Sequence, residues 1–169
     1  KCQTSSFTNC VSTTGGKGGA IYLHINTSIS NDALIEKCTF TGCTAYYGGG
    51  LFIYSNDESR SVTVKSCTFE QNSVIESESR EQSSSGSAIY LMTKKSVILR
   101  CRFIQNKGKD SLCIIYNFDK EVENNHLVSL SKKSTSILVE DCLFRIDPES
   151  KSSISLLHDS KSRKSILIK

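Results

Sequence analysis

Short apolar runs of three to five residues recur along the chain, separated by Gly, Ser, Asn and Asp. One set is Ala33-Leu34-Ile35, Ser61-Val62-Thr63-Val64, Ser96-Val97-Ile98-Leu99, Ser136-Ile137-Leu138-Val139 and Ser165-Ile166-Leu167-Ile168. The first four are each followed by Cys-x-Phe: Cys38-Thr39-Phe40, Cys67-Thr68-Phe69, Cys101-Arg102-Phe103 and Cys142-Leu143-Phe144. A third set lies between the Cys-x-Phe triplets: Gly19-Ala20-Ile21-Tyr22-Leu23, Gly49-Gly50-Leu51-Phe52-Ile53, Ser87-Ala88-Ile89-Tyr90-Leu91, Ser111-Leu112-Cys113-Ile114-Ile115 and Ser152-Ser153-Ile154-Ser155-Leu156. Phe7, in Ser5-Ser6-Phe7, opens the first copy. The runs are rich in β-branched and aromatic residues and bounded by turn formers, so each reads as a short strand. No segment sustains the i, i+3, i+4, i+7 apolar spacing of an amphipathic helix.

Successive Phe markers stand 33, 29, 34 and 41 residues apart. That drift excludes helical repeats, whose units have fixed length. It suits a coil whose outer loops lengthen without disturbing the stack. The expectation is all-β: a single-stranded parallel β-helix of about five coils, each with three short strands, forming one unit over 1–169. Alternation along a strand then sorts the faces. Ile21, Leu51, Ile89, Cys113 and Ile154 should point inward, as should Leu23, Ile53, Leu91, Ile115 and Leu156. Cys38, Cys67, Cys101 and Cys142, with Phe7, Phe40, Phe69, Phe103 and Phe144, should form interior ladders with like residues roughly 4.8 Å apart.

Charge changes this picture little. Residues 1–85 carry 6 Lys/Arg against 8 Asp/Glu, and residues 86–169 carry 15 against 9. The basic residues are scattered singly or in pairs among acids, which reads as solvated surface rather than a nucleic-acid site. No apolar run approaches the ~18–20 residues that span a bilayer. The chain opens with Lys1-Cys2 directly before a repeat and closes on a strand-like run. Both ends read as interruptions, so a segment of a longer solenoid is expected, with neighbouring coils as partners.

Phe69-Glu70-Gln71-Asn72 and Phe103-Ile104-Gln105-Asn106 match FxxN, and Gly18-Gly19-Ala20-Ile21 matches GGAI. These paired motifs resemble the repeats of the polymorphic outer membrane proteins of chlamydiae, within the pectin-lyase-like parallel β-helix surface proteins. Gly48-Gly49-Gly50-Leu51 and Gly86-Ser87-Ala88-Ile89 are degenerate copies, and Cys10, Cys43 and Asp147 stand where FxxN has Asn. The resemblance implies a right-handed helix, a cell-surface location and an adhesive role.

Candidate chemistry is sparse. The Cys residues admit three readings: a reduced core ladder, disulfides with Cys10–Cys43 as the first pair to check, or a metal site. The last lacks CxxC-like spacing, and no metal or cofactor is expected. Asn72 and Asn106 should form a hydrogen-bonded ladder at a turn. The Gly-rich stretches lack the order of a phosphate loop. Tyr22, Phe52 and Tyr90 share an outward position on consecutive coils, a stripe able to stack sugar rings or anchor a protein. His24, His126 and His158 fall on unrelated parts of the pattern, and no Ser-His-Asp logic links them. Acids lie mostly in loops (Asp57, Glu58, Glu76, Glu78, Glu81, Asp119, Glu121 and Glu123), the longest of them 76–85 and 117–135, and Glu36 and Glu140 sit coils apart. The expectation is therefore a non-catalytic surface or secreted module with a protein or glycan partner. The alternatives are a carbohydrate-active lyase or hydrolase, and an intracellular structural solenoid within a large assembly.

Overall fold

The computed structural model describes residues 1–13, 15–26, 32–55, 59–75, 86–93, 95–108, 112–114, 128–130, 136–145 and 166–168. Every regular element among them is a β-strand, and every pairing is parallel. Three sheets run the length of the stack. The first joins Cys2–Gln3, Ala33–Glu36, Ser61–Lys65, Lys95–Leu99, Ser136–Glu140 and Ile166–Ile168 in that order. The second joins Ser6–Thr8, Thr39–Thr41, Thr68–Glu70, Arg102–Ile104 and Leu143–Arg145. The third joins Ile21–Ile25, Leu51–Ser55, Ile89–Met92, Leu112–Ile114 and Val128–Leu130. Each strand pairs with its counterpart one coil away, which is the defining connectivity of a parallel β-helix.

Alternation decides what enters the core. Along Ser61–Lys65 the side chains of Val62 and Val64 are fully buried, while Ser61, Thr63 and Lys65 are only half-buried. The Phe residues of the second sheet stand in strict register, Phe7 beside Phe40, Phe40 beside Phe69, Phe69 beside Phe103 and Phe103 beside Phe144. Their rings stack with centroids 5.0, 4.7, 5.3 and 4.6 Å apart and planes within 13°. Facing them, Ile53, Leu91, Val62, Val64 and Ile98 close one continuous core.

The corners explain how a coil can turn without losing its hydrogen bonds. Thr4, Lys37, Ser66, Arg100 and Asp141 sit between the first and second strands, and Asn9, Gln71 and Gln105 follow the second; all have φ between 49° and 55°. One left-handed residue redirects the chain while its N–H still reaches the next coil: Lys37 to the Lys65 carbonyl at 3.0 Å, Gln71 to the Ile104 carbonyl at 2.9 Å. The left-handed conformation costs ~1–2 kcal/mol for a residue with a Cβ, and the unbroken ladder offsets it. Entry to the third sheet instead needs glycine. Gly48 has φ +65°, and a Cβ there would lie 2.3 Å from the Leu51 carbonyl oxygen.

Three features depart from the sequence expectation. Within the expected loop 117–135, Val128–Leu130 is a strand that pairs with Leu112–Ile114. Ile154 and Leu156, expected on the third sheet, lie outside the described residues, as does Ile115. In the fourth coil, Leu112 pairs with Ile89, Cys113 with Tyr90 and Ile114 with Leu91. Cys113 therefore joins the column expected to face outward, and Ile114 the inward one, a one-residue shift from the expected register. Aligning Ser111 with Ser87 set Cys113 beside Ile89, one residue off the true pairing, and a slip of one residue exchanges the two faces of a strand. Thr44–Ala45 and Ser73–Val74 also form a short additional parallel pair that the sequence pattern did not mark.

Candidate binding face and thiol ladder

Tyr22, Phe52 and Tyr90 stand in register on the third sheet, with ring centroids 5.4 and 5.2 Å apart. Phe52 and Tyr90 belong to a cluster separate from the main core, as outward positions should. Exposure divides them: Tyr22 is 54 % exposed, Phe52 only 1 % and Tyr90 8 %. The stripe, expected either to bind a partner or to be covered by loops or a neighbouring solenoid, is exposed at Tyr22 and covered at Phe52 and Tyr90. The expectation treated one outward position and missed the next, two residues on, where period-two alternation puts a second column. That column is His24, Tyr54 and Met92, with the His24 and Tyr54 rings 4.8 Å apart. Tyr54 and Met92 pack on the Phe52–Tyr90 pair, and Tyr47 meets Tyr90 edge-on at 5.3 Å. Lys17 Nζ stands 5.3 Å from the Phe52 ring centroid, a cation–π contact worth about 0.5–1 kcal/mol at an exposed site. The reachable part of this face is Tyr22, His24 and Lys17, bordered by half-buried Tyr47 and Tyr54.

The turn ladder is built as a relay. Asn72 Nδ2 donates to the Phe40 carbonyl at 3.0 Å, and its Oδ1 accepts from the Cys43 N–H at 2.9 Å. Asn106 repeats this one coil on, donating to the Phe69 carbonyl and accepting from the Asn72 N–H, each at 3.0 Å. Cys43 takes the Asn place one coil earlier, its thiol 3.6 Å from the Phe7 carbonyl. Each of these side chains satisfies backbone groups that the corner would otherwise leave unpaired inside the protein. Asp147, expected in the same column, lies outside the described residues.

The Cys-x-Phe thiols repeat a second geometry. Cys38, Cys67, Cys101 and Cys142 each approach the carbonyl two residues before them, at 3.3 to 3.4 Å. Cys67, Cys101 and Cys142 also approach a carbonyl of the preceding coil at 3.5 to 3.6 Å. A small, weak donor fits this inner corner where a larger polar group would not. Burial pushes the Cys38 thiol up to about 11 and raises Cys43 as well. Cys101 is raised by its contacts with the Cys142 and Cys67 thiols and by burial. Cys2, Cys10, Cys38, Cys43, Cys67, Cys101 and Cys142 are free thiols, so Cys10 and Cys43 are not bridged. Cys2, which the repeat pattern left unassigned, places its sulfur 3.8 Å from that of Cys38.

Outward carboxylates are dispersed. Glu36 neighbours Gln3 and Lys65, and is hydrogen-bonded by Gln3 at 2.6 Å and paired with Lys65 at 3.5 Å. Those contacts, Gln3 first, hold its carboxyl below the ordinary range. Glu70 stands between Thr41 and Ile104, and Glu140 beside Leu99. No group of three or more His, Cys, Asp or Glu among the described residues is placed to hold a metal ion.

Neither the curated proteins nor the solved structures give a match. A family model described as a right-handed β-helix region matches residues 1–144. That span takes in the Cys-x-Phe ladder, both Asn residues of the turn and the aromatic face just described. The chain belongs to the right-handed β-helix family.

Proposed function

We propose that this β-helix is a non-catalytic binding or scaffold module of a cell-surface or secreted protein. The observation that carries the reading is the spacing of its outward carboxylates. A glycoside hydrolase needs two carboxyl groups within about 5–9.5 Å across the scissile bond, and a calcium-assisted lyase needs clustered acids. In the described strands Glu36, Glu70 and Glu140 each neighbour a non-acidic residue on the coils beside them. What the third sheet does offer is an exposed Tyr22 ring, rimmed by His24 and Lys17, at the end of a rigid aromatic column. A planar, immobile ring of this kind stacks against a sugar or a partner's apolar side chain at low entropic cost. The GGAI and FxxN copies support an adhesin-like setting for it.

Incubation with a panel of neutral and uronate polysaccharides, with and without calcium, tests the reading. Neither reducing ends nor unsaturated products should form. Saturation-transfer signals from any bound glycan should fall in Tyr22→Ala. Turnover of any of these polymers would overturn the proposal.

A further inference from the structure

Cys2 occupies a column in which the following four coils hold Ile35, Val64, Ile98 and Val139. Packing alone asks for an aliphatic residue there. The first coil has a thiol instead, and its own Cys-x-Phe position is filled by Ser5. The substitution puts the Cys2 and Cys38 sulfurs 3.8 Å apart, in contact across two successive coils. The backbones on either side are already fixed: Thr4 N–H donates to the Glu36 carbonyl at 3.1 Å, and Thr39 N–H to the Ser5 carbonyl at 2.9 Å. Accessibility separates Cys2 from the buried thiols of the ladder. Cys67 and Cys101 are 1 % and 0 % exposed, whereas Cys2 is half-buried and open to a small reagent.

We propose that Cys2 and Cys38 form a redox staple, a disulfide that ties the coil carrying Cys2 to the next one. The oxidant is a low-molecular-weight disulfide of the glutathione class, as found in oxidising compartments. Cys2, as thiolate, attacks one sulfur of that disulfide. A mixed disulfide forms, and the first small thiolate leaves and takes up the proton Cys2 lost. Cys38 then gives its proton to water and attacks the Cys2 sulfur, expelling the second small thiolate, which is protonated in turn. Two protein thiols lose two electrons and two protons, and one small disulfide gains them. The order follows from burial: Cys38 meets the reagent only through Cys2. Its raised pKa makes the second step accelerate as pH rises. The sulfurs must close from contact distance to the ~2.05 Å of a bond, a movement available to the half-buried Cys2 side chain.

The test is the intact chain in mixtures of reduced and oxidised glutathione, digested after acid quench and mapped by mass spectrometry. The expected product is a peptide joining Cys2 to Cys38 with no glutathione retained. In Cys38→Ala the Cys2–glutathione adduct should accumulate, and in Cys2→Ser neither species should form. Should Cys38→Ala not fold, Cys2→Ser at its half-buried position still decides the matter. Amide exchange at Thr4 should slow on oxidation of the wild-type chain and not of Cys2→Ser. A persistent glutathione adduct on wild-type Cys2, a cross-link confined to Cys10–Cys43 or Cys101–Cys142, or unchanged exchange at Thr4 would overturn the staple.

Discussion

Replacing Phe69 with alanine removes the ring at the centre of the Phe ladder. Phe69 is fully buried, 4.7 Å from the Phe40 ring and 5.3 Å from that of Phe103, nearly parallel to both. A buried Phe→Ala change costs about 3–5 kcal/mol through lost transfer energy and residual cavity. Two stacked pairs, each worth about 0.5–1.5 kcal/mol beyond area, place Phe69 toward the upper end. The neighbours cannot collapse into the gap, because each strand is held in register by hydrogen bonds to the coils above and below. Phe7 is the internal control: half-buried, with one stacked partner at 5.0 Å, it should lose roughly half as much. Urea unfolding followed by circular dichroism measures the difference. With a denaturant slope of about 2 kcal/mol/M, Phe69→Ala should lower the midpoint by about 2 M. In a double-mutant cycle Phe40 and Phe69 should couple by about 0.5–1.5 kcal/mol, while Phe7 and Phe103 add independently. A Phe69→Ala loss no larger than that of Phe7→Ala, or a null cycle for Phe40 and Phe69, would refute the stacking argument.

Asn72→Ala removes the donor to the Phe40 carbonyl and the acceptor for the Cys43 N–H; each buried orphan costs about 1–3 kcal/mol, so a total loss of about 2–6 kcal/mol is expected in the same unfolding assay. Gln71, exposed with φ 52°, should gain about 0.5–1 kcal/mol on replacement by glycine and lose stability on replacement by valine, read as opposite shifts in Tm. The Ser61 N–H, 2.8 Å from Asp32 Oδ1, holds the Asp32 carboxyl below its ordinary range. The stability this supplies is complete above the unfolded pKa of about 3.9 and is lost as pH falls through the lower folded value. Urea midpoints between about pH 5 and 2 should therefore fall less in Asp32→Ala than in the wild-type chain.

The ladders were legible because a parallel stack repeats one environment per coil: Cys38, Cys67, Cys101 and Cys142 occupy equivalent corners, and so do the Phe residues two positions on. Turn length was less legible. A coil corner needs one left-handed residue, and Thr4, Lys37, Ser66, Gln71, Arg100 and Asp141 share that conformation with no more in common than polarity. Register in the third sheet failed at Cys113 because a short strand offers two alignments one residue apart, and only pairing with Ile89–Met92 chooses between them. The face carrying Phe52 and Tyr90 was legible as outward. Its covering by Tyr47, Tyr54, Met92 and Lys17 was not, since Lys17 and Tyr47 come from turns on two different coils, bridged to one another. The Cys2–Cys38 contact was hidden for a related reason: the two thiols sit at non-equivalent positions of the repeat and meet only between adjacent coils.

The stack of rings is tested most directly by aromatic nuclear Overhauser contacts in a Phe-labelled sample. Cross-peaks should join Phe7 to Phe40, Phe40 to Phe69, Phe69 to Phe103 and Phe103 to Phe144, with none between Phe7 and Phe69, two coils apart. Contacts that skip a coil, or a missing link between Phe40 and Phe69, would contradict the parallel β-helix.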